Sequence, residues 1–170
     1  MIKDAEIEAF FLKVMRSGYA GGGVGKTMTL PDVRPSTKEI RYVLGDWLLI
    51  DEWNVNRDTN KSTGVTRIWY DGTLVWYMSY GGYYPNSVTR FLKMALRHQY
   101  SCEGSFRGGR GPARCVASDL LFSEEPGLVY TNEYHGNFWH FSGKERIFAP
   151  QILAGDAVIG YHDYWGMSLL

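Results

Sequence analysis

The spacing of hydrophobic residues changes along the chain between two periods, and each period predicts one type of element. Near the start, apolar side chains recur every three or four positions, which predicts an amphipathic helix over residues 4–17. The same spacing predicts a second helix over residues 86–99. Elsewhere the apolar residues form short runs rich in Val, Ile, Trp and Tyr, which are typical of β-strands.

Two groups of strands are predicted, one after each helix. The predicted strands are 39–44, 47–53, 66–70 and 74–80 in the first group and 128–134, 138–141, 145–148 and 157–164 in the second. Gly45-Asp46 and Asp71-Gly72 lie between strands of the first group, and Asp-Gly is a strong signal for a tight hairpin. We therefore expect antiparallel meanders. The Gly/Arg-rich stretch 100–118 is predicted to be a loop.

The order of elements repeats: a helix and about four strands, then again a helix and about four strands. Residues echo this order, since 64–69 aligns with 143–148 and 50–54 aligns with 131–135. The alignment pairs Thr66 with Glu145.

These observations predict an α+β fold. Two degenerate helix-plus-four-strand antiparallel units are expected to pack as one pseudo-symmetric domain over residues 1–170. The repeat halves would be about 1–84 and 85–170.

Composition narrows the class of protein. Hydrophobic residues make up 45% of the chain, which is enough for a sizeable core and excludes the signature of disorder. Lys+Arg and Asp+Glu are both 18, so there is no global attraction to nucleic acid or to an anionic membrane. The N-terminus lacks a signal-peptide pattern, and no apolar run reaches the roughly 18 residues of a membrane helix. We expect a cytoplasmic protein with no membrane association and no direct contact with nucleic acid.

The residue types that bind metals are sparse. Two cysteines, Cys102 and Cys115, are too few for a disulfide scaffold and are interpreted as ordinary thiols, with a loop-closing disulfide as the alternative. The four histidines show no spacing typical of a metal site. No cofactor and no metal are predicted.

Several short motifs occur in order along nearly the whole chain. They lie at residues 19–23, 45–46, 76–81, 91–96, 110–112 and 141–147. In this ordered set the chain resembles a bacterial family of uncharacterised domains, a domain of unknown function whose members occur alone or fused behind phage-repressor-type helix-turn-helix domains. The resemblance implies a sensing or interaction role and no established activity. The chain has no helix-turn-helix of its own, so the resemblance does not imply direct DNA binding.

The leading hypothesis is a non-catalytic ligand-binding or regulatory sensing module. Its ligand would be small, planar or anionic, and would bind between the two halves. Arg110, in a loop with several glycines, would contact an anionic group, although an ion pair with the protein's own carboxylates is the alternative. Trp53, Trp76 and Tyr80 would supply aromatic contacts, and Glu145 a polar anchor.

Two other functions fit the sequence. An aromatic platform on the sheet would suit a protein-interaction module, including a homodimer. A carboxylate-dependent enzyme, a hydrolase or isomerase, could use Glu52, Glu133 or Glu145 if these converge in a cleft. The sequence assigns no catalytic residue.

Overall fold

Both α-helices form where the hydrophobic spacing predicts them. In the computed structural model, which describes residues 2–18, 28–29, 34–103, 105–120, 127–149 and 157–170, helix α1 spans Asp4–Ser17 and helix α2 spans Thr89–His98. The carboxylate of Glu6 accepts a hydrogen bond from the backbone N–H of Lys3, which satisfies one of the free donors at the start of α1. A 3₁₀ turn, Asn86–Val88, leads into α2, and a π-helical turn, Gln99–Glu103, follows it.

The strands form a single antiparallel sheet. Along the chain they are β1 (Met28–Thr29), β2 (Thr37–Leu44), β3 (Trp47–Val55), β4 (Lys61–Tyr70), β5 (Thr73–Tyr83), β6 (Arg114–Val116), β7 (Val129–Asn137), β8 (His140–Phe148) and β9 (Val158–Ser168). Their order in space is β1-β2-β3-β4-β5-β9-β8-β7-β6. The α+β class with an antiparallel sheet is therefore confirmed.

Strands β5 and β9 form the centre of the sheet and join the two meanders. They pair antiparallel over eight residues of each strand, with Tyr80 directly opposite Tyr164. The tight turns at Gly45 and Gly72 have positive φ angles of 56° and 72°, which glycine adopts without strain. These turns connect β2 to β3 and β4 to β5, as the sequence predicts.

The hydrophobic core lies on one face of the sheet, which we call the core face. Side chains of α1 and α2 pack there with the inward residues of the strands and with residues from the connections between them. Phe11 of α1 packs against Trp76 of β5, and Phe106 packs against both of these rings. Because side chains alternate along a strand, every second residue of each strand points to the core face.

The second group of strands differs in detail from the prediction. Residues 138–141 and 145–148 do not form two strands, because β8 continues through Gly143 without a break. Glycine at this position normally suggests a turn, but here the ring of Tyr164 lies over it and leaves no room for a Cβ atom. Strand β6 forms inside the segment predicted as a loop. Cys115 lies buried in β6, whereas the side chain of Cys102 and the motif at 19–23 lie outside the described residues.

Candidate functional site

A group of polar side chains is buried on the core face beside the β5–β9 pair. We call it the Arg110 cluster, and it consists of Arg110, Glu145, His162, Tyr84 and Tyr130. Each residue is at least nine-tenths buried, with exposures of 7%, 0%, 6%, 8% and 0%. Buried ionisable groups are costly unless they are paired, so a concentration of them is either a structural network or a functional site.

The loop before β6 carries Arg110 into this position. Gly108 and Gly109 have φ angles of 65° and 66°, in the left-handed region that favours glycine. A Cβ on Gly108 would collide with the ring of Tyr164, and a Cβ on Gly111 would lie 2.7 Å from the ring of Tyr130. The Gly-rich composition of this loop therefore allows its backbone to lie against aromatic rings of the sheet.

Arg110 is held by rings and by one carboxylate. Its guanidinium carbon lies 4.2 Å from the ring centre of Tyr80 and 5.7 Å from that of Tyr164, both within the range of cation–π attraction. Nη1 of Arg110 lies 3.5 Å from Oε1 of Glu145. Burial alone would lower the pKa of Arg110, but the Glu145 carboxylate outweighs it and raises that pKa. The arginine is therefore a fixed positive charge.

Glu145 is the negative centre of the cluster. Its Oε2 accepts a hydrogen bond of 2.7 Å from the hydroxyl of Tyr130, which in turn accepts one of 3.0 Å from the backbone N–H of Gly111. Burial alone would raise the pKa of Glu145, but Arg110 and His162 outweigh it and hold the pKa at about 2. Glu145 is therefore ionised at neutral pH.

His162 of β9 connects Glu145 to Ser62 of β4. Its Nδ1 lies 3.4 Å from Oε1 of Glu145, and its Nε2 lies 2.8 Å from Oγ of Ser62. The imidazole also packs against the rings of Tyr80 and Tyr84 at 5.6 and 4.7 Å. Burial lowers the pKa of His162, with Glu145 acting in the opposite direction, so the ring is neutral at pH 7.

Five buried polar atoms of the cluster make no hydrogen bond of acceptable geometry to any described residue. They are Nε and Nη2 of Arg110, Oε1 of Glu145, Nδ1 of His162 and the hydroxyl oxygen of Tyr84. Oε1 and Nδ1 face each other at 3.4 Å, so a small rotation would join them. The hydroxyl of Tyr84 also lies near the Glu145 carboxylate, which together with burial raises the pKa of Tyr84, so this hydroxyl can donate to Glu145 or to a ligand. The two guanidinium nitrogens are left for another partner.

A second polar group lies next to the cluster. The hydroxyl of Tyr80 donates to Oδ1 of Asp51 at 3.0 Å, and Thr66 donates to the same oxygen at 2.8 Å. Burial raises the pKa of Asp51, while these two hydrogen bonds and the charge of Arg110 partly offset the effect. On the other side of the β5–β9 pair, the hydroxyl of Tyr164 donates to Oδ1 of Asn132 at 2.6 Å.

Three of the site residues expected from the sequence come together in described contacts, whereas Trp76 lies in the hydrophobic core and Trp53 lies on β3. Of these three, Arg110 contacts both of the others, since its guanidinium lies over the ring of Tyr80 and forms the ion pair with Glu145. Trp76 points to the same face as Tyr80 but lies four residues along β5, about 13 Å away. It is fully buried between Phe138 and Phe141, and its packing is that of a core residue.

Trp53 lies at the level of Tyr80 but on β3. Both residues pair with Gly64 of β4, so the two are separated by two strand spacings, about 10 Å. Glu52 points to the face opposite the core face and pairs with Arg34 and Arg67. Glu133 is exposed on that same opposite face, so neither glutamate converges with Glu145.

Sequence reasoning missed four residues of the site, namely Ser62, Tyr84, Tyr130 and His162. One pattern in β9 indicates that His162 faces inward. Residues 160, 162, 164 and 166, which share one face of the strand, are glycine, histidine, tyrosine and glycine. Pairing His162 with Glu145 requires the register of β8 with β9, which the sequence does not contain. Within the described ranges no three His, Cys, Asp or Glu side chains are placed to hold a metal ion.

None of the helices in the described part of the chain is long and apolar enough to cross a membrane.

Comparisons with known proteins identify a family but no individual protein. No curated protein and no solved structure matches the chain. A match to a domain of unknown function, DUF5680, covers residues 55–167, which include β4, β5, the Arg110 loop and most of β9. The chain belongs to the DUF5680 family, and the Arg110 cluster lies within the residues that define this membership.

Proposed function

We propose that this protein is a binding module for a small molecule that carries a carboxylate or phosphate group, and that this group binds to Arg110. The observation that carries the proposal is the set of buried donors without a partner. Nε and Nη2 of Arg110 and the hydroxyl of Tyr84 find no hydrogen-bond partner among the described residues. An unsatisfied buried donor costs about 1–3 kcal/mol, so a ligand that pairs with these groups would recover that free energy.

The geometry of a guanidinium supports this class of ligand. Nε and Nη2 form one edge of the planar group, and their N–H bonds are parallel. Two adjacent oxygens of a carboxylate or phosphate match this edge in a bidentate pair. The ion pair with Glu145 uses Nη1, which leaves the opposite edge for the ligand. Tyr84 would donate to a further oxygen.

We also propose that the two halves of the chain are related copies of one unit. Tyr80 and Tyr164 lie opposite each other, and each ring lies over a glycine of the neighbouring strand, Gly64 and Gly143. These glycines are the first residues of the aligned segments 64–69 and 143–148. The correspondence supports two related units that meet at the β5–β9 pair.

The halves differ where the cluster lies. In one half Thr66 pairs with Met78, and at the corresponding place in the other half Glu145 pairs with His162. The first half therefore forms the same arrangement of strands with an uncharged pair. Because the sheet does not need an ionisable pair at this position, the presence of one supports a role in binding.

We also infer a sensing role for the module in a bacterial cytoplasm. The support is the resemblance to domains that occur fused behind phage-repressor-type helix-turn-helix domains. A ligand bound at the centre of the sheet would stabilise the contact between the two halves. Such a change in stability is a means by which a ligand can affect an attached domain.

A homodimer is the second candidate, and it is favoured by one surface. Trp165 is 46% exposed on the face of the sheet opposite the core face, beside Tyr77, with ring centres 5.4 Å apart. Analytical ultracentrifugation of the wild type and of Trp165→Ser tests this candidate. A dimer in the wild type that dissociates in the variant would support it, and a monomer in both would contradict it.

The binding proposal is tested first by native mass spectrometry of gently purified protein, and then by thermal unfolding with inorganic phosphate, acetate and adenosine monophosphate at constant ionic strength. A ligand at a hundred times its Kd adds about 2.7 kcal/mol, which raises Tm by roughly 5–10 °C. We expect at least one probe to stabilise the wild type and the control Arg114→Gln, whose arginine is exposed. Arg110→Gln should lose this stabilisation.

Tyr84→Phe provides a test that does not disturb the ion pair. If the hydroxyl has no partner in the free protein, its removal should leave Tm unchanged or raise it, and should weaken binding of the probe. A large loss of Tm in Tyr84→Phe, together with equal responses of the wild type and Arg110→Gln to every probe, would contradict the proposal.

A further inference from the structure

Three polar side chains from three strands form a continuous array that leads from the core to the surface. Oγ of Ser62 on β4 lies 2.8 Å from Nε2 of His162 on β9, and Nδ1 of that ring lies 3.4 Å from Oε1 of Glu145 on β8. This is the order nucleophile, base and orienting carboxylate that activates a serine in acyl-transfer enzymes. The array is recognised by its geometry, since the three residues are far apart in the sequence.

The protonation states fit these roles. Glu145 is ionised, with a pKa of about 2, and a carboxylate only accepts hydrogen bonds. We assign the hydrogen of the neutral imidazole to Nδ1, which faces Oε1 of Glu145 at 3.4 Å without a formed hydrogen bond, so that Nε2 presents a lone pair to Ser62. In this tautomer the hydroxyl of Ser62 donates to Nε2, as a serine does before it gives up its proton.

The exposure of the three residues follows the same order. Glu145 is completely buried, His162 is 6% exposed, and Ser62 is partly exposed. A nucleophile has to reach a substrate, whereas its base and the orienting carboxylate work best when water is excluded.

The geometry points to Ser62 as a nucleophile that hydrolyses small carboxylic esters, with His162 as its general base and Glu145 as the residue that orients His162. Oγ attacks the carbonyl carbon of the ester, and the proton of the hydroxyl moves to Nε2. The bond from the carbonyl carbon to the alcohol oxygen then breaks, and the alcohol leaves with the proton from Nε2. The acyl group is now bound to Ser62.

Water completes the reaction by the same route. Nε2 takes a proton from water while the oxygen attacks the acyl carbon, the bond to Oγ breaks, and Ser62 recovers the proton. The products are the alcohol and the carboxylic acid. This activity goes beyond ligand binding and does not depend on it.

The test is covalent labelling with a fluorophosphonate, whose phosphorus is attacked by an activated serine with loss of fluoride. Intact-mass and peptide analysis of the wild type should show one label, on Ser62. Ser62→Ala should lose the label, and Ser142→Ala, which removes an exposed strand serine, should keep it. His162→Gln should slow labelling by about 10²-fold or more, since a general base contributes typically 10²–10⁴-fold.

Hydrolysis of p-nitrophenyl acetate gives a second readout, in which Ser62→Ala and His162→Gln should lose turnover and Ser142→Ala should keep it. Folded wild-type protein that takes up no label, or a label that persists in Ser62→Ala, would overturn the inference. Circular dichroism of each variant separates loss of reactivity from loss of the fold. Ser62→Ala should still respond to the phosphate or acetate probes through Arg110, so failure of labelling and failure of ligand binding are distinguishable.

Discussion

Tyr80 and Tyr164 lie directly opposite each other on the two central strands, and the guanidinium of Arg110 lies over both rings. Each tyrosine extends over a glycine of the next strand, Gly64 or Gly143. The guanidinium of Arg110 therefore packs against both tyrosine rings. The position of Arg110 depends on two glycines that it does not contact by any described interaction.

The glycines under the rings should not tolerate a methyl group. Gly64→Ala or Gly143→Ala places a Cβ in collision with Cζ and the hydroxyl oxygen of Tyr80 or Tyr164, and close to a backbone oxygen as well. We expect each variant to lose about 1–3 kcal/mol of unfolding free energy, the usual cost of overpacking. Urea denaturation measures this loss. Gly81→Ala is the control, because its Cβ would approach nothing closer than 3.3 Å; equal losses in all three variants would contradict the explanation.

The buried ion pair should be far more sensitive than the exposed one. Glu145→Gln leaves Arg110 as an uncompensated buried charge, which typically costs about 3–5 kcal/mol. Asp163→Asn breaks the pair between Arg146 and Asp163, whose carboxylate is 57% exposed, and should cost at most about 1 kcal/mol. Denaturant unfolding of the two variants compares these values. Similar losses of unfolding free energy in the two variants would show that water reaches the Arg110–Glu145 pair.

Stability should decrease in acid because of His162. Burial lowers its pKa in the folded state below the ordinary value of 6.5, so the unfolded chain binds the proton more readily. The contribution is complete above about pH 6.5 and is lost as the pH falls towards the folded-state pKa. The groups that face or lie near His162 are Glu145, Arg110, Ser62, Tyr80, Tyr84 and Asp163.

The comparison that isolates this effect is the unfolding free energy of the wild type and of His162→Gln over pH 4 to 8. Glutamine does not titrate, so the difference between the two proteins should change with pH below about 6.5 and be constant above it. A difference independent of pH would mean that His162 has the same pKa in the folded and unfolded states.

Trp76 should behave as a core residue. Trp76→Ala removes a side chain stacked between Phe138 and Phe141, and we expect a loss of about 3–5 kcal/mol. Trp139→Ala is the matched control, because Trp139 is 55% exposed and its removal should change the unfolding free energy little. Thermal or urea unfolding tests both. A stable Trp76→Ala protein that loses phosphate binding would instead place Trp76 at a ligand.

Local patterns predicted much of the fold. The apolar spacing predicts a helix over 4–17, and helix α1 forms at Asp4–Ser17. The Asp71-Gly72 turn also forms as expected, because its geometry depends on the two residues themselves. Such features depend on residues that are neighbours along the chain, so the local sequence is enough to predict them.

The site could be predicted only in part because it depends on contacts between distant strands. The sequence suggests that Arg110 and Glu145 both contact a ligand, with an ion pair to the protein's own carboxylate as the alternative for Arg110. The structure pairs the two residues with each other, which is that alternative. Aromatic residues on strands suggest binding, but the sequence does not show that Trp76 is a core residue while Trp53 is only partly buried. His162 and Ser62 were missed because their meeting requires the pairing of β5 with β9.

The pairing of β5 with β9 also has a consequence for how the chain folds. The other strand pairs join neighbours along the chain, so each meander can form early by local hairpins. The central pair closes a long loop and should form late, which leaves two half-sheets with unprotected edges in the meantime. Those edges are the part of the folding pathway where one molecule can pair with another, so aggregation during refolding should increase with protein concentration.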